Sequence, residues 1–150
     1  MLYGRITRRS LIAVPLLGLT GLGIFRGGSS TAVIQGTSSV WFVTPKDGDQ
    51  VTNPVTVIFG VTGVILAPAG PPNAPGTGHH HLIIDRPAIA QGMPIPHDTL
   101  HLHVADGSDR MTVPFSLPEG PHTLIAQVGD GAHIAYGGVL NATIQVTVAP

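Results

Sequence analysis

Residues 99–104 read T-L-H-L-H-V, and this unbroken alternation of apolar and polar residues constrains the fold more than any other stretch. A period of two residues is that of a β-strand with one buried face, and here two leucines and a valine share that face. Further segments with strand-like patterns are residues 51–61, 111–117, 122–128 and 142–148. The chain also has 20 glycines and 14 prolines, which suit tight turns and disfavour helices. We therefore predict an all-β protein.

Many short strands in a domain of this length favour two packed sheets. The segment LPEGPHTLIAQVGD followed by ATIQVTV resembles the last two strands of immunoglobulin-like domains in secreted bacterial proteins, and TPKDGDQVTNPVTVIFGV resembles their first two. The chain has no cysteine, so an antibody-type Cys-Trp-Cys core is excluded. We predict an immunoglobulin-like, two-sheet antiparallel sandwich over residues 33–150.

The first 32 residues have the composition of an export signal. Arg8 and Arg9 precede an uncharged apolar run of 15 residues, whereas a membrane span needs about 20. The pair resembles a twin-arginine signal. Small residues at Ser30 and Ala32 predict cleavage after Ala32, and an uncleaved anchor is the alternative. We expect residues 1–32 to be a twin-arginine-type signal peptide and the protein to be periplasmic or extracellular.

Charge and cysteine content exclude several classes of partner. Without residues 1–32, three basic residues remain against eight acidic ones, a formal net charge of −5. A domain of that sign lacks the basic surface that binds nucleic acid or anionic lipid. We therefore expect no nucleic-acid partner and no membrane insertion of the mature domain; a protein partner is not indicated. With no cysteine, disulfides and thiolate metal sites are excluded.

All eight histidines lie between His79 and His133. Pairing residues 79–85 with residues 99–105 as antiparallel neighbours, with Asp85 opposite Thr99, sets His81 opposite His103. Opposed side chains have Cβ atoms roughly 5 Å apart, a spacing that lets two imidazoles share an ion. In this register His79 and His81 point outward, away from the core, on the same face as His101 and His103.

His133 follows the strand predicted to neighbour the histidine triplet, so it should meet the triplet at one rim. His122 begins that strand at the other end, where we expect it to cap the PEGP turn. Asp85 and Asp98 could orient a liganding ring through its second nitrogen, but for each alone a solvated acid at a strand end is the preferred interpretation. Imidazole-only sites suit copper or zinc. The predicted metal ligands are His79, His81, His103 and His133, with His101 as the substitute.

The signal sequence and the histidines together predict an exported, non-catalytic protein that binds copper or zinc. We expect the domain to fold without the metal. Two alternatives remain open. A structural or adhesive immunoglobulin-like module would carry these histidines incidentally. A metal-dependent hydrolase would need an open coordination position and a general base, and the single glutamate, Glu119, lies in the turn at the other end.

Three motifs, GHHHLIID, PIPHDTLHLHV and LPEGPHTLIAQVGDGAH, resemble the bacterial domain-of-unknown-function family 4399 over about residues 60–148. The histidines that match the family's pattern are His80, His81, His101, His103, His122 and His133. The family often has a further histidine where this chain has Ala135 and Tyr136. The family has no established activity, so the resemblance implies a domain and a histidine framework and no particular chemistry.

Overall fold

The computed structural model describes residues 37–71 and 73–150, and the predicted signal peptide lies outside them. Within these residues no helix has the length and apolar character needed to span a membrane. The helical content of this part is a single 3-10 turn, Gly138–Leu140. The strands are β1 (Ser39–Thr44), β2 (Gln50–Val51), β3 (Thr56–Thr62), β4 (Ile65–Leu66), β5 (Thr77–Ile84), β6 (His101–His103), β7 (Arg110–Thr112), β8 (Gly120–Gly129) and β9 (Asn141–Val148).

The strands form two sheets, which confirms the predicted all-β, two-sheet architecture. One sheet has the order β1-β3-β7, and the other has the order β2-β9-β8-β5-β4, with β6 also paired to β5. The expectation of antiparallel pairing throughout is wrong at two edges, because β2 runs parallel to β9 and β4 runs parallel to β5. The turn at Asp47 and Gly48 carries the chain to the edge of β9, where both residues hydrogen-bond to Gln145.

Proline shortens two of the predicted strands. The segment 51–61 is split around Pro54 into β2 and β3, and the segment 111–117 keeps strand geometry only in β7. A proline donates no backbone hydrogen bond, so it interrupts a ladder. The Asn53 side chain replaces the missing pairing, since its amide donates to the Leu117 carbonyl at 2.9 Å and its oxygen accepts from the Leu117 N–H at 3.0 Å.

The core between the sheets follows the alternation in the sequence. Leu124, Ala126 and Val128 of β8 are buried in it, as their period-two spacing predicts. The β5 residue His80 also faces this core, where its ring stacks on Phe59 with centroids 4.7 Å apart. The neighbours of His80 in β5, which are His79 and His81, therefore lie on the opposite face of the sheet.

Candidate metal centre

The predicted register of the histidine strands is confirmed. His81 of β5 is paired with His103 of β6, and Ile83 is paired with His101. On the other edge of β5, His79 is paired with Gly129, the last residue of β8. His133 lies in the turn after β8, at the end of the sheet where the triplet begins.

Three histidines form a compact cluster on this face. His79, His81 and His103 each offer a ligand atom, and the three atoms lie within 4.8 Å of one another. The His81 ring centroid is 4.5 Å from those of both His79 and His103, while His79 and His103 are 6.2 Å apart. Three imidazoles at these separations could hold a single metal ion.

His133 lies beside the cluster, although the closely spaced ligand atoms are those of the other three. Its ring centroid is 4.5 Å from that of His103 and 4.8 Å from that of His79. Its backbone has φ 64°, a left-handed conformation that is uncommon for residues other than glycine. The turn thus holds the His133 ring against the rings of the two strands.

Asp130 holds the His133 turn in shape. One oxygen of its carboxylate accepts the backbone N–H groups of Ala132 and Ile134, each at 2.9 Å. The other oxygen accepts the Asn73 side-chain amide at 2.9 Å. The backbone N–H of His133 in turn donates to the Asp130 carbonyl. These hydrogen bonds therefore fix the backbone of the turn from which the His133 ring projects.

The outward face of β5 is covered, which the sequence did not indicate. Residues 86–98, the covering segment, cross it between β5 and β6. Gln127 of β8 holds this segment, because its amide bonds to both the N–H and the carbonyl of Ile89, at 2.9 and 2.7 Å. His79 and His81 consequently have an exposed fraction of 0%. The prediction that both point away from the core is right, but they do not face solvent.

Gly129 makes room for the cluster beneath this cover. A Cβ atom at this position would lie 2.9 Å from the His81 Nε2 and 2.9 Å from the Ile95 Cδ1 atom of the covering segment. Real Cβ contacts are longer, so any side chain here would push the imidazole or the cover away. Sequence reasoning missed Gly129; its one signal was a glycine at the end of a strand.

Burial keeps the clustered histidines neutral. It lowers the pKa of His79 to about 4, with further lowering by His133 and His103. It lowers the pKa of His81 to about 2, with further lowering by His79 and His103. Burial also lowers the pKa of His103, against the opposing effect of a hydrogen bond to Pro96. Neutral imidazoles keep the lone pair that a metal ion requires.

The hydrogen bonding of these rings leaves ligand atoms free. Among the described residues, both ring nitrogens of His79 and both of His81 are buried without a hydrogen-bond partner. His103 Nε2 lies 3.1 Å from the Pro96 carbonyl, which can only accept, so this nitrogen carries the proton. The lone pair of neutral His103 is therefore on Nδ1.

The structure places His101 apart from the other predicted ligands. Its Nδ1 lies 2.8 Å from the Asp98 carboxylate. Among the described residues, the rings of the other four predicted ligands contact one another, and His101 is not among these contacts. Asp98 thus orients the substitute ligand. Sequence reasoning also missed His97, whose ring centroid is 4.3 Å from that of His103. His97 lies in the covering segment, which has no strand periodicity to reveal its direction.

His122 caps its turn, as predicted. Its Nε2 lies 2.9 Å from the Pro118 carbonyl and its Nδ1 lies 2.7 Å from Asp85. Burial alone would lower its pKa, but the hydrogen bonds to Asp85 and Pro118 raise it. Asp85 therefore orients His122, and the alternative in which it orients a metal ligand is excluded, because its carboxylate lies at the far end of β5.

No curated protein matches this chain in sequence. Among solved structures, the endo-beta-1,4-mannanase from Thermotoga petrophila is similar with a TM-score of 0.41 and 16% sequence identity. The similarity covers 79% of this chain and 21% of the mannanase chain, and at that score it carries no weight for fold or function. The model of DUF4399, a domain of unknown function, matches residues 57–149, which is more than half of the sequence. This chain is therefore a member of the DUF4399 family.

Proposed function

We propose that this protein is a non-catalytic binding protein for one divalent transition metal ion, with His79, His81, His103 and His133 as ligands. The observation that carries the proposal is the set of buried, neutral imidazoles with unpartnered nitrogens. A buried polar atom without a partner costs about 1–3 kcal/mol, so a fold that keeps several of them together needs a compensating ligand. A metal ion provides that compensation for one nitrogen of each coordinating imidazole.

His122 supplies an internal comparison. It is a buried histidine of the same domain, and both of its ring nitrogens have partners, the Asp85 carboxylate and the Pro118 carbonyl. A histidine with a purely structural role is expected to be satisfied in this way. His79 and His81 have no such partners. His80 also lacks partners among the described residues but stacks on Phe59 in the core. The convergence of the His79, His81 and His103 ligand atoms within 4.8 Å of one another is therefore what favours a binding function over a structural module with incidental histidines.

His133 is proposed as the fourth ligand. Its left-handed backbone costs roughly 1–2 kcal/mol for a residue with a side chain, and the Asp130 turn sustains that conformation. Such strain persists where the placement of a side chain is needed. The ring lies 4.5 Å from His103 and 4.8 Å from His79, close enough for its nitrogen to complete a four-imidazole site after a small rotation.

The arrangement of the four rings is compatible with either copper(II) or zinc. Taken in the order His79, His81, His103, His133, neighbouring centroids are 4.5, 4.5, 4.5 and 4.8 Å apart. The two diagonals are longer, at 6.2 and 5.6 Å. Zinc prefers a tetrahedron, in which all six separations are equal, and copper(II) prefers a tetragonal plane, in which the diagonals are about 1.4 times the sides. The four rings lie between these two geometries, because the 5.6 Å diagonal is too short for a flat quadrilateral with these sides and a 6.2 Å diagonal.

Binding is proposed rather than hydrolysis because the cluster in the described part of the chain is made of imidazoles alone. A zinc hydrolase needs a carboxylate or another base beside the metal-bound water. The carboxylates that touch the histidines, those of Asp98 and Asp85, are bonded to His101 and His122 and lie outside the three-histidine cluster.

Titration of copper(II) and zinc into the untagged chain tests the proposal, since a histidine tag would compete for the metal. Isothermal titration calorimetry should give one ion per chain, and the copper complex should give an axial electron paramagnetic resonance signal with splitting from four nitrogens. The His122→Ala variant should bind equally well. A wild-type protein that binds neither metal would overturn the proposal in favour of a structural module, and splitting from three nitrogens would remove His133 from the ligand set.

The finer fold assignment is likewise a proposal. An immunoglobulin-like sandwich is supported by the strand order, since a first-strand extension, β2, lies parallel to the last strand and the two central strands β8 and β5 are antiparallel. A crystal structure would test it. A different pairing of these four strands would reject the assignment.

Export by the twin-arginine route, to the periplasm or beyond, is proposed from Arg8 and Arg9. The Arg8→Lys, Arg9→Lys variant should keep most of the precursor in the cytoplasm, because that pathway recognises the guanidinium pair. Immunoblots of cell fractions measure this, with Arg5→Lys as the matched control. Normal processing of the double variant would assign the protein to a different export route.

A further inference from the structure

The proposed site is closed to solvent, so an ion needs a path into it. His79 and His81 have an exposed fraction of 0%. The covering segment is anchored beside these two rings, because the Ile95 N–H donates to the His133 carbonyl at 2.8 Å and Ile95 is itself buried. A hydrated metal ion cannot reach these two rings without passing a more exposed group.

His97 lies where such a path would begin. Its side chain is exposed, and its ring centroid is 4.3 Å from that of His103, with the two planes inclined by 35°. His103 is half-buried, and its centroid is 4.5 Å from those of His81 and His133. A contiguous series of imidazoles therefore runs from the surface, through one half-buried ring, to the buried cluster.

The placement of His97 is built into the fold. On its N-terminal side, Pro96 restricts the backbone and Ile95 is anchored in the cover. On its C-terminal side, the Asp98 carboxylate accepts the backbone N–H groups of Leu100 and His101 at 2.8 and 3.1 Å. With both flanks anchored, the backbone that carries His97 is fixed, and its ring lies beside that of His103.

We propose that His97 is the entry ligand of this metal site, an inference that rests on the proposed function. The imidazole takes a hydrated copper(II) ion at the surface, shares it with His103, and releases it as the buried rings complete the coordination. Each exchange replaces one ligand on the ion by another, with no bond made or broken within the protein. His97 is not a ligand in the final complex, because four imidazoles already surround the ion.

A transient ligand changes rates and leaves the equilibrium nearly unchanged. In His97→Ala, we expect both association and dissociation of copper(II) to slow by roughly tenfold while the Kd changes by less than about threefold. Stopped-flow mixing with copper(II) measures association, and transfer to a chelator measures dissociation. His122→Ala, a histidine substitution at the far end of β8, is the control and should leave both rates at the wild-type values.

Each outcome of this experiment is distinct. Unchanged rates in His97→Ala would overturn the entry role. A Kd weakened more than about tenfold with an unchanged association rate would also overturn it, because His97 would then be a permanent ligand. Failure of the wild-type protein to bind copper(II) would count against the metal site itself, before His97 is considered. Because the His97 side chain is exposed, its removal should leave the fold intact, and circular dichroism verifies this.

Discussion

Replacement of His81 by leucine is expected to abolish tight metal binding while leaving the metal-free protein at least as stable as the wild type. His81 is the central ring of the cluster, 4.5 Å from both His79 and His103, so its loss removes the ligand that joins the two sides. Mutation of a residue that only orients a ligand lowers metal affinity by about 10–100-fold, so removal of the ligand His81 should lower it by about a hundredfold or more.

The expected stability of this variant follows from the unpartnered ring nitrogens. Both nitrogens of His81 are buried without a partner, which costs about 1–3 kcal/mol in the metal-free state. Leucine has a similar volume and no polar atom, so it relieves this cost without opening a cavity. The free energy of unfolding, measured in urea with a chelator present, should therefore be equal to or higher than that of the wild type.

His122→Leu is the matched control with the opposite expected result. It removes a buried imidazole whose two nitrogens are both bonded, to Asp85 and Pro118, so it should lower stability by about 1–3 kcal/mol and keep wild-type copper affinity. Retention of tight binding by His81→Leu would exclude His81 as a ligand. A similar loss of stability in both variants would indicate that His81 is a packing residue.

The part of this site that the sequence predicts is the part governed by strand periodicity. Alternation in T-L-H-L-H-V fixes which face His103 occupies, and the apolar residues after the triplet place His80 in the core with His79 and His81 opposite. A shift of one residue would reverse every face, so the hydrophobic pattern excludes it, but a shift of two residues would keep every face, so the register itself is an assumption. That register is the one in which His81 meets His103.

The cover, the edges and the entry residue could not be predicted because periodicity does not govern them. The covering segment is held by single contacts, such as the pair of hydrogen bonds between Gln127 and Ile89, and a glutamine in a strand gives no sign of its partner. The parallel edge strands β2 and β4 are two residues long, too short to show a pattern. The backbone at His97 is positioned by Pro96 and by the hydrogen bonds of Ile95 and Asp98, and the Ile95 bond to His133 forms only in the folded chain.

Acid is expected to destabilise the metal-free protein, with His80 as a principal cause. Burial lowers its pKa to about 4, against a smaller raising effect of Asp109, whereas the unfolded chain titrates near 6.5. A group whose pKa is lower in the folded state contributes full stability above pH 6.5, and that contribution is lost as the pH falls from 6.5 towards 4. For His80 alone the loss at pH 4 is about 3 kcal/mol.

The His80→Phe variant separates this effect from the other histidines. The ring of His80 is stacked on Phe59 with planes inclined by 17°, a position that another aromatic ring can fill, and both of its nitrogens lack partners. Urea unfolding with a chelator at pH 7.5, 6 and 5 should show a weaker loss of stability in this variant than in the wild type. His122→Leu should show the reverse, a steeper loss, because its raised pKa makes protonated His122 a source of stability at low pH. Equal pH dependence in wild type and His80→Phe would mean that His80 is protonated or solvated within the fold, and that acid acts through the metal cluster alone.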